Sequence, residues 1–151
     1  ASFKTALDGE FGRDEFIENL TLGERKAKAR LRDKNALDRL LYDPDPSVVR
    51  ILLGNPRLTE AHVLKLASRR PNRAVALREI ARDPKWLSRG PIQRALALNP
   101  YTPIRITLTL LPLFSIQELH ELSLDANLHP LVSRGAKAFL DDLGWSPPTF
   151  H

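Results

Sequence analysis

Residues 95–112 read ALALNPYTPIRITLTLLP, an apolar stretch that three prolines interrupt. Between Ile104 and Leu110 apolar and polar residues alternate without a break, which is the period of a β-strand. The preceding Thr102-Pro103 pair instead suits the start of a helix, with a hydroxyl cap followed by proline at the first helical position. Helices are predicted on both sides, and a single strand would have no partner. We therefore predict a helix here as well.

Residues that favour helix starts and helix stops recur along the chain. Further helix starts are predicted at Thr21 with Glu24, Asp45-Pro46, Thr59, Asn72, Pro91, Ser115 with Glu118, and Pro130. Gly54-Asn55-Pro56 and Gly144 are predicted helix stops, supplying residues that tolerate left-handed backbone. An apolar helix ending in Asn-Pro or Asp-Pro appears in residues 51–56 (ILLGNP), 80–84 (IARDP) and 96–100 (LALNP).

These signals predict about ten helices of roughly 8 to 13 residues, which are too short to be stable alone in water. Short loops make sequential neighbours antiparallel. The first and third Asn-Pro stops lie 44 residues apart, close to the length of a HEAT unit. We predict an all-α fold, an irregular right-handed solenoid of short antiparallel helix pairs. A helical bundle without translational order is the alternative.

Residues 55–71 (NPRLTEAHVLKLASRRP) and 95–112 resemble the HEAT-like and leucine-rich-repeat-variant helical proteins of bacteria. The resemblance covers about residues 35–143 and consists of caps and core positions. It implies protein binding or scaffolding along a curved helical surface. On this basis the chain divides into an N-terminal cap or arm (1–34), helical repeats (35–143) and a C-terminal tail (144–151).

The composition excludes several kinds of site. The 151 residues include no cysteine, so disulfides, thiolate nucleophiles and cysteine-bound zinc are excluded, as is typical of a reducing compartment. The most apolar stretch, residues 104–116, is too short to span a bilayer, and residues 1–10 show no signal-peptide pattern. We expect no membrane span and a cytoplasmic location.

Catalytic and metal-binding patterns are also not found. No two of the four histidines have the spacing that places two ligands on one helical face. No nucleophile with a base and no glycine-rich phosphate cradle is visible. We expect neither enzymatic activity nor a cofactor. One enzymatic alternative is a HEAT-like DNA glycosylase, for which Trp86 and Asp83 match by residue type but not by motif.

The charge distribution gives the one lead to function. Residues 47–100 contain eleven basic and three acidic side chains, net +8, while the whole chain has net charge +5. A basic block favours an anionic partner. Arginine binds carboxylates and phosphates bidentately, and tryptophan offers a stacking or hot-spot surface. The candidate partner-binding residues are Arg69, Arg70, Arg73, Arg78, Arg82, Lys85, Trp86, Arg89 and Arg94.

A purely structural interpretation competes with this one. Arginine at a helix C-terminus complements the helix dipole, and Trp86 would then only fill a groove between repeats. Weighing these, the sequence favours a non-enzymatic scaffold or adaptor that binds a partner protein through one face of the helical stack. The second hypothesis is a nucleic-acid-binding helical-repeat protein that contacts phosphates with the central arginines, so that its affinity falls steeply with salt.

Overall fold

The computed structural model describes residues 14–149, and within them the chain is all-α, as predicted. The eleven helices in this range are α1 (Glu15–Glu18), α2 (Leu22–Ala29), α3 (Lys34–Leu40), α4 (Pro46–Leu53), α5 (Glu60–Ser68), α6 (Ala74–Arg82), α7 (Pro84–Leu87), α8 (Gly90–Leu98), α9 (Ile104–Leu110), α10 (Ile116–Leu124) and α11 (Pro130–Asp142). A 3-10 turn, Leu111–Leu113, follows α9. Residues 1–13 of the predicted N-terminal cap or arm (1–34) lie outside the described residues, as do the last two residues of the predicted tail.

Local side-chain caps begin several helices where the sequence predicts them. The Asp45 carboxylate accepts a hydrogen bond from the Ser47 backbone N–H at the start of α4. Thr59 caps α5 and Ser115 caps α10, and in each case the N-cap backbone N–H donates in return to the side chain of the third helical residue, His62 or Glu118. At the end of α11, Gly144 has φ of +70°, the left-handed conformation that favours glycine. These starts and this stop are confirmed.

The alternating stretch of residues 104–110 is helix α9, as predicted. Its helical period turns Thr107 and Leu110 into the core and leaves Arg105 exposed. The predicted cap at Thr102 is wrong. The N-cap is Pro103, and the buried Thr102 hydroxyl has no hydrogen-bond partner among the described residues.

One further prediction of a helix start is wrong. Asn72 does not cap α6, whose N-cap is Arg73 without a side-chain bond. The Asn72 amide nitrogen instead donates to the Leu66 carbonyl oxygen at the end of α5, at 2.6 Å. The predicted stop at residues 54–56 is confirmed in position, since α4 ends at Leu53 with Gly54 as its C-cap. Gly54 has φ of −85° rather than a left-handed conformation, and the helix ends with backbone bonds from Gly54 and Asn55 to the carbonyl oxygens of Ile51 and Leu52.

The helices pack on neighbours two or three places along the chain as well as on consecutive ones. Helix α4 contacts both α2 and α6, α5 contacts α8, and α9 contacts α11. One apolar cluster extends from Ala29 to Leu110, and a second from Ala97 to Leu140. None of the helices within residues 14–149 is both long and apolar enough to cross a membrane.

Two buried asparagines make the same bridge at two places along the chain. Asn55, 3% exposed, donates from Nδ2 to the carbonyl oxygens of Ala29 and Leu31, both at 2.8 Å. Asn99, 1% exposed, donates to the carbonyl oxygens of Ala67 and Arg69 at 2.8 and 2.9 Å. Each asparagine therefore ties the end of its own helix to the end of an earlier helix.

Each bridge is completed by a bond to the following loop. Asn55 Oδ1 accepts from the Arg57 backbone N–H at 2.9 Å, and Asn99 Oδ1 accepts from the Tyr101 N–H at 3.0 Å. One amide side chain thus pairs three backbone groups that no helix satisfies. In the sequence, an Asn-Pro pair after an apolar helix marks the position of each bridge.

Replacing Asn99 with alanine should lower the free energy of unfolding by about 2–3 kcal/mol, because two buried carbonyls and one N–H lose their partner. Asn99→Asp should be at least as destabilising, since a carboxylate cannot donate to the carbonyls of Ala67 and Arg69. Urea unfolding measures both variants. Asn127→Ala, at an exposed turn, is the matched control, and equal stability of the Asn99→Ala and Asn127→Ala proteins would contradict the bridge.

Candidate functional site

Three of the predicted arginines, in the loop between α5 and α6, contact residues at the ends of other helices. The Arg70 guanidinium donates to the Leu98 carbonyl oxygen. Arg73 donates from Nη1 to the Tyr42 carbonyl oxygen at 3.3 Å, and the Arg69 guanidinium carbon lies 3.9 Å from the centre of the Tyr42 ring. These contacts link α5 and its following loop to α3 and α8. Without a partner bound, all three side chains already contact other segments of the chain.

Trp86 does not offer the exposed stacking surface that the sequence analysis assigned to it. Its side chain is 1% exposed, and its indole Nε1–H donates to the Leu53 carbonyl oxygen at 2.8 Å. Lys85 Nζ and the Arg89 guanidinium carbon lie 4.7 and 5.0 Å from the ring centre. In its buried position, the indole N–H bonds to a carbonyl oxygen at the end of α4, and the ring fills the space beside that carbonyl.

Two other predicted arginines lie near carboxylates. The Arg89 Nη1 atom is 3.9 Å from a Glu60 carboxylate oxygen, and Arg94 Nη1 is 3.5 Å from one of Glu118. The pKa of Glu118 lies below its ordinary value, chiefly because its carboxylate accepts the Ser115 backbone N–H within the capping box. Exposed pairs of this kind contribute little to stability, and they leave less positive charge available to a partner.

The remaining two predicted arginines, Arg78 and Arg82, line an open groove of about 670 Å³ between helices α6 and α9. They are four residues apart and therefore share one face of α6. Arg105 reaches the groove from α9 on the other side. We call this the α6–α9 groove. Its full lining is Arg78, Ala81, Arg82, Leu87, Pro103, Ile104, Arg105, Ile106, Thr109 and Leu110.

The groove combines three basic side chains with an apolar floor. The lining contains no acidic residue and no aromatic ring. Within residues 14–149 no carboxylate lies within 4.0 Å of the Arg78 or Arg105 guanidinium groups. The surface therefore presents positive charge beside apolar area, a combination typical of protein interfaces.

An ion pair between α4 and α6 lies next to the groove and holds α6 in place. Glu79 is 5% exposed, and Arg50 donates to its two carboxylate oxygens at 3.0 and 2.9 Å, a bidentate pair between α4 and α6. The Arg50 hydrogen bonds lower the pKa of Glu79 from its ordinary value, against the opposing effect of burial. Arg82 Nη1 is 3.7 Å from the same carboxylate.

Sequence reasoning missed Arg105 and the Arg50–Glu79 pair. Arg105 is the one charged residue in the apolar stretch of residues 104–110, and an isolated charge in such a stretch is a signal of an exposed position. The pairing of Arg50 with Glu79, 29 residues apart, leaves no local pattern that could have indicated it.

His62, His129 and Asp83 have structural contacts. His62 belongs to the α5 capping box, and its Nε2 is 3.2 Å from Asp38. The His129 ring nitrogen Nδ1 accepts the Leu131 N–H at the start of α11. Asp83 accepts the backbone N–H of Lys85 and caps α7. The part of the chain that the structure describes contains no group of three or more potential metal ligands.

Comparisons of the chain with protein-family models, curated proteins and solved structures found no match. The geometry of residues 14–149 is therefore the basis for the function proposed below.

Replacing Glu79 with glutamine should reduce stability in a pH-dependent way. The folded-state pKa of Glu79 is lowered, so its contribution is present above the unfolded-state pKa of about 4.3 and is lost as the pH falls through the folded-state value. Glu79→Gln should be less stable than the parent near neutral pH, with a difference that shrinks in acid.

Urea unfolding at a series of pH values measures this difference. Glu121→Gln, on the exposed surface of α10, is the matched control and should follow the parent at every pH. If the destabilisation of Glu79→Gln stayed constant from neutral to acidic pH, the assigned ion pair would be wrong.

The burial of Trp86 can be tested by fluorescence. In a Trp145→Phe variant the emission comes from Trp86 alone, and acrylamide should quench it weakly because the ring is shielded from solvent. In Trp86→Phe the half-buried Trp145 should be quenched more strongly. Equal quenching of the two variants would show that Trp86 is accessible after all.

Proposed function

We propose that this chain is a non-enzymatic scaffold or adaptor that binds a partner protein through the α6–α9 groove. The observation that carries the proposal is the groove itself, in which the exposed Arg78, Arg82 and Arg105 surround an apolar floor. Interfaces are enriched in arginine, and their central residues are apolar. A partner that covers this groove would remove apolar area from water and pair the guanidinium groups at the same time.

The proposal includes the finer architecture. We propose that the helices form an irregular right-handed solenoid of HEAT-like pairs. The contacts of α4 with α2 and α6, and of α5 with α8, support this, because stacking places helices of successive pairs side by side. The Asn55 and Asn99 bridges also support it, since they repeat one motif at a spacing of 44 residues. Such stacks present a large preformed surface.

Nucleic-acid binding is the second candidate, and the exposed arginines favour it, since three basic side chains in one groove resemble a phosphate-binding footprint. The groove offers single-stranded bases no ring on which to stack, because Trp86 is buried and no aromatic residue lines it. Apolar floor residues would also face a charged phosphate backbone. The chemistry of the groove therefore favours a protein partner.

The experiment is affinity capture from nuclease-treated source lysate at about 50 mM and about 200 mM salt, comparing the parent with an Arg78→Glu/Arg105→Glu variant. We expect a specific protein to be retained by the parent at both salt concentrations and lost with the variant. Charge reversal places carboxylates where the partner's acidic groups would lie.

The matched control is Arg32→Glu/Arg57→Glu, which makes the same change in net charge at two exposed residues near the first asparagine bridge. Retention by this control with loss from the groove variant supports the proposal. Equal recovery of every captured protein on both variants would refute it. Recovery of labelled DNA or RNA oligonucleotides, with affinity falling in proportion to the number of phosphates neutralised, would favour the nucleic-acid alternative.

A further inference from the structure

The positive charge of the α6–α9 groove is not neutralised within the described chain. Arg78 and Arg105 have no carboxylate within 4.0 Å among residues 14–149. Arg82 lies 3.7 Å from Glu79, but the two oxygens of that carboxylate already accept bonds from Arg50 at 2.9 and 3.0 Å. An occupant with negative charge would therefore meet guanidinium groups that are available to bind it.

The spacing of the arginines suits carboxylates on a short peptide. Arg78 and Arg82 are one helical turn apart, about 6 Å along the axis of α6. Alternate residues of an extended peptide are separated by about 6.6 Å, and residues four apart on a helix by about 6 Å. Two carboxylates on such a segment can reach both guanidinium groups, each of which can bind bidentately.

The apolar residues between the arginines favour apolar side chains on the partner. Ala81, Leu87, Ile104 and Ile106 are only half-buried, so they present apolar surface to whatever occupies the groove. Burying apolar area contributes about 25 cal/mol per Å², whereas a charged or phosphorylated group placed there would lose its hydration without gaining a partner. The occupant therefore has aliphatic side chains in its centre.

The size of the groove limits how much of a partner can enter. A volume of about 670 Å³ lies within the range of roughly 300–1,000 Å³ that is typical of sites for small ligands. It accommodates a few side chains of one segment rather than a domain. Recognition of this kind is common where a short peptide places alternate or one-turn-spaced anchors into a preformed groove.

We propose that the α6–α9 groove binds an acidic peptide segment of a partner protein, in which Asp or Glu residues flank one or two aliphatic side chains. The aliphatic groups pack on Leu87, Ile104 and Ile106, and the carboxylates pair with the arginines on the two walls. This inference rests on the proposed function, since it names the chemistry of the segment that the same groove takes.

The test is selection of a phage-displayed library of random peptides, about 12 residues long, on the intact immobilised chain. Peptides eluted from the parent should be enriched in Asp or Glu next to Leu, Ile or Val, and the same selection on Arg78→Glu/Arg105→Glu should lose that enrichment. A synthetic copy of a selected peptide should bind the groove variant at least about tenfold more weakly than the parent, as for loss of a hot spot.

Further variants separate the effect of charge on binding from the effects of side-chain geometry and of unfolding. Arg78→Lys/Arg105→Lys keeps the charge without the bidentate fork and should give intermediate affinity. Arg32→Glu/Arg57→Glu should bind like the parent. Replacing the Asp and Glu residues of the peptide with Asn and Gln should weaken binding to the parent. A circular-dichroism melt of each variant confirms that it is folded.

Three outcomes would overturn the inference: no enriched peptide, enriched peptides without acidic residues, or peptides that bind the groove variant as well as the parent. In each case lysate capture that still depends on Arg78 and Arg105 would leave the protein-scaffold function standing with a partner of different chemistry. If lysate capture no longer depended on Arg78 and Arg105, the proposed function itself would be wrong. Failure of the peptide inference and failure of the proposed function therefore give different results.

Discussion

The chain is built of helices of 4 to 13 residues, and the carbonyl groups at their ends take hydrogen bonds from side chains that lie outside each helix. The last carbonyls of each helix have no partner within that helix, and in short helices these groups are a large share of the backbone. Asn55, Asn72 and Asn99 donate to such carbonyls at the ends of α2 and α5. The indole of Trp86 does the same at the end of α4. Because these bonds are buried and directional, they fix the relative positions of helices that apolar packing alone would leave free to slide.

The groove is a consequence of this arrangement. Asn99 joins the end of α8 to the end of α5, and its Oδ1 orients the loop at Tyr101 that leads into α9. On the other wall, the bidentate contact between Arg50 and Glu79 fixes α6 against α4. Arg78 on α6 and Arg105 on α9 both line the open groove between these helices. The partner-binding surface that we propose is therefore supported by polar contacts that position α6 and the loop before α9.

Local signals predicted much of the fold because capping is a local interaction. Asp45, Thr59 and Ser115 bond to backbone groups two or three residues away, and the sequence indicated all three. The predicted stop at Gly54 was correct in position, but its left-handed backbone was not. The Asn72 cap was wrong because its amide bonds to the Leu66 carbonyl oxygen of the preceding helix instead of starting α6. The amide of Asn99 bonds to carbonyls 30 and 32 residues earlier, so the Asn-Pro phrase gave the position of a helix end but not its partner.

The site was harder to predict than the fold. Net charge drew attention to residues 47–100, and two of the nine candidates, Arg78 and Arg82, do line the groove. Charge alone could not separate them from Arg70 and Arg73, which bond to carbonyls of other helices. It also gave no weight to Arg105, which lies beyond the basic block. Separating these cases requires knowing which guanidinium groups already have partners, and that is a property of the packed chain.

Amide hydrogen exchange of the native protein tests most directly whether the buried asparagines fix the helices in place. The backbone N–H groups of Arg57 and Tyr101 lie in loops but donate to Asn55 and Asn99. The bridges predict that these two amides exchange as slowly as those in the core of α5, because they open only when the stack unfolds. Exchange of both at the rate of an exposed loop amide such as that of Arg70 would contradict this account.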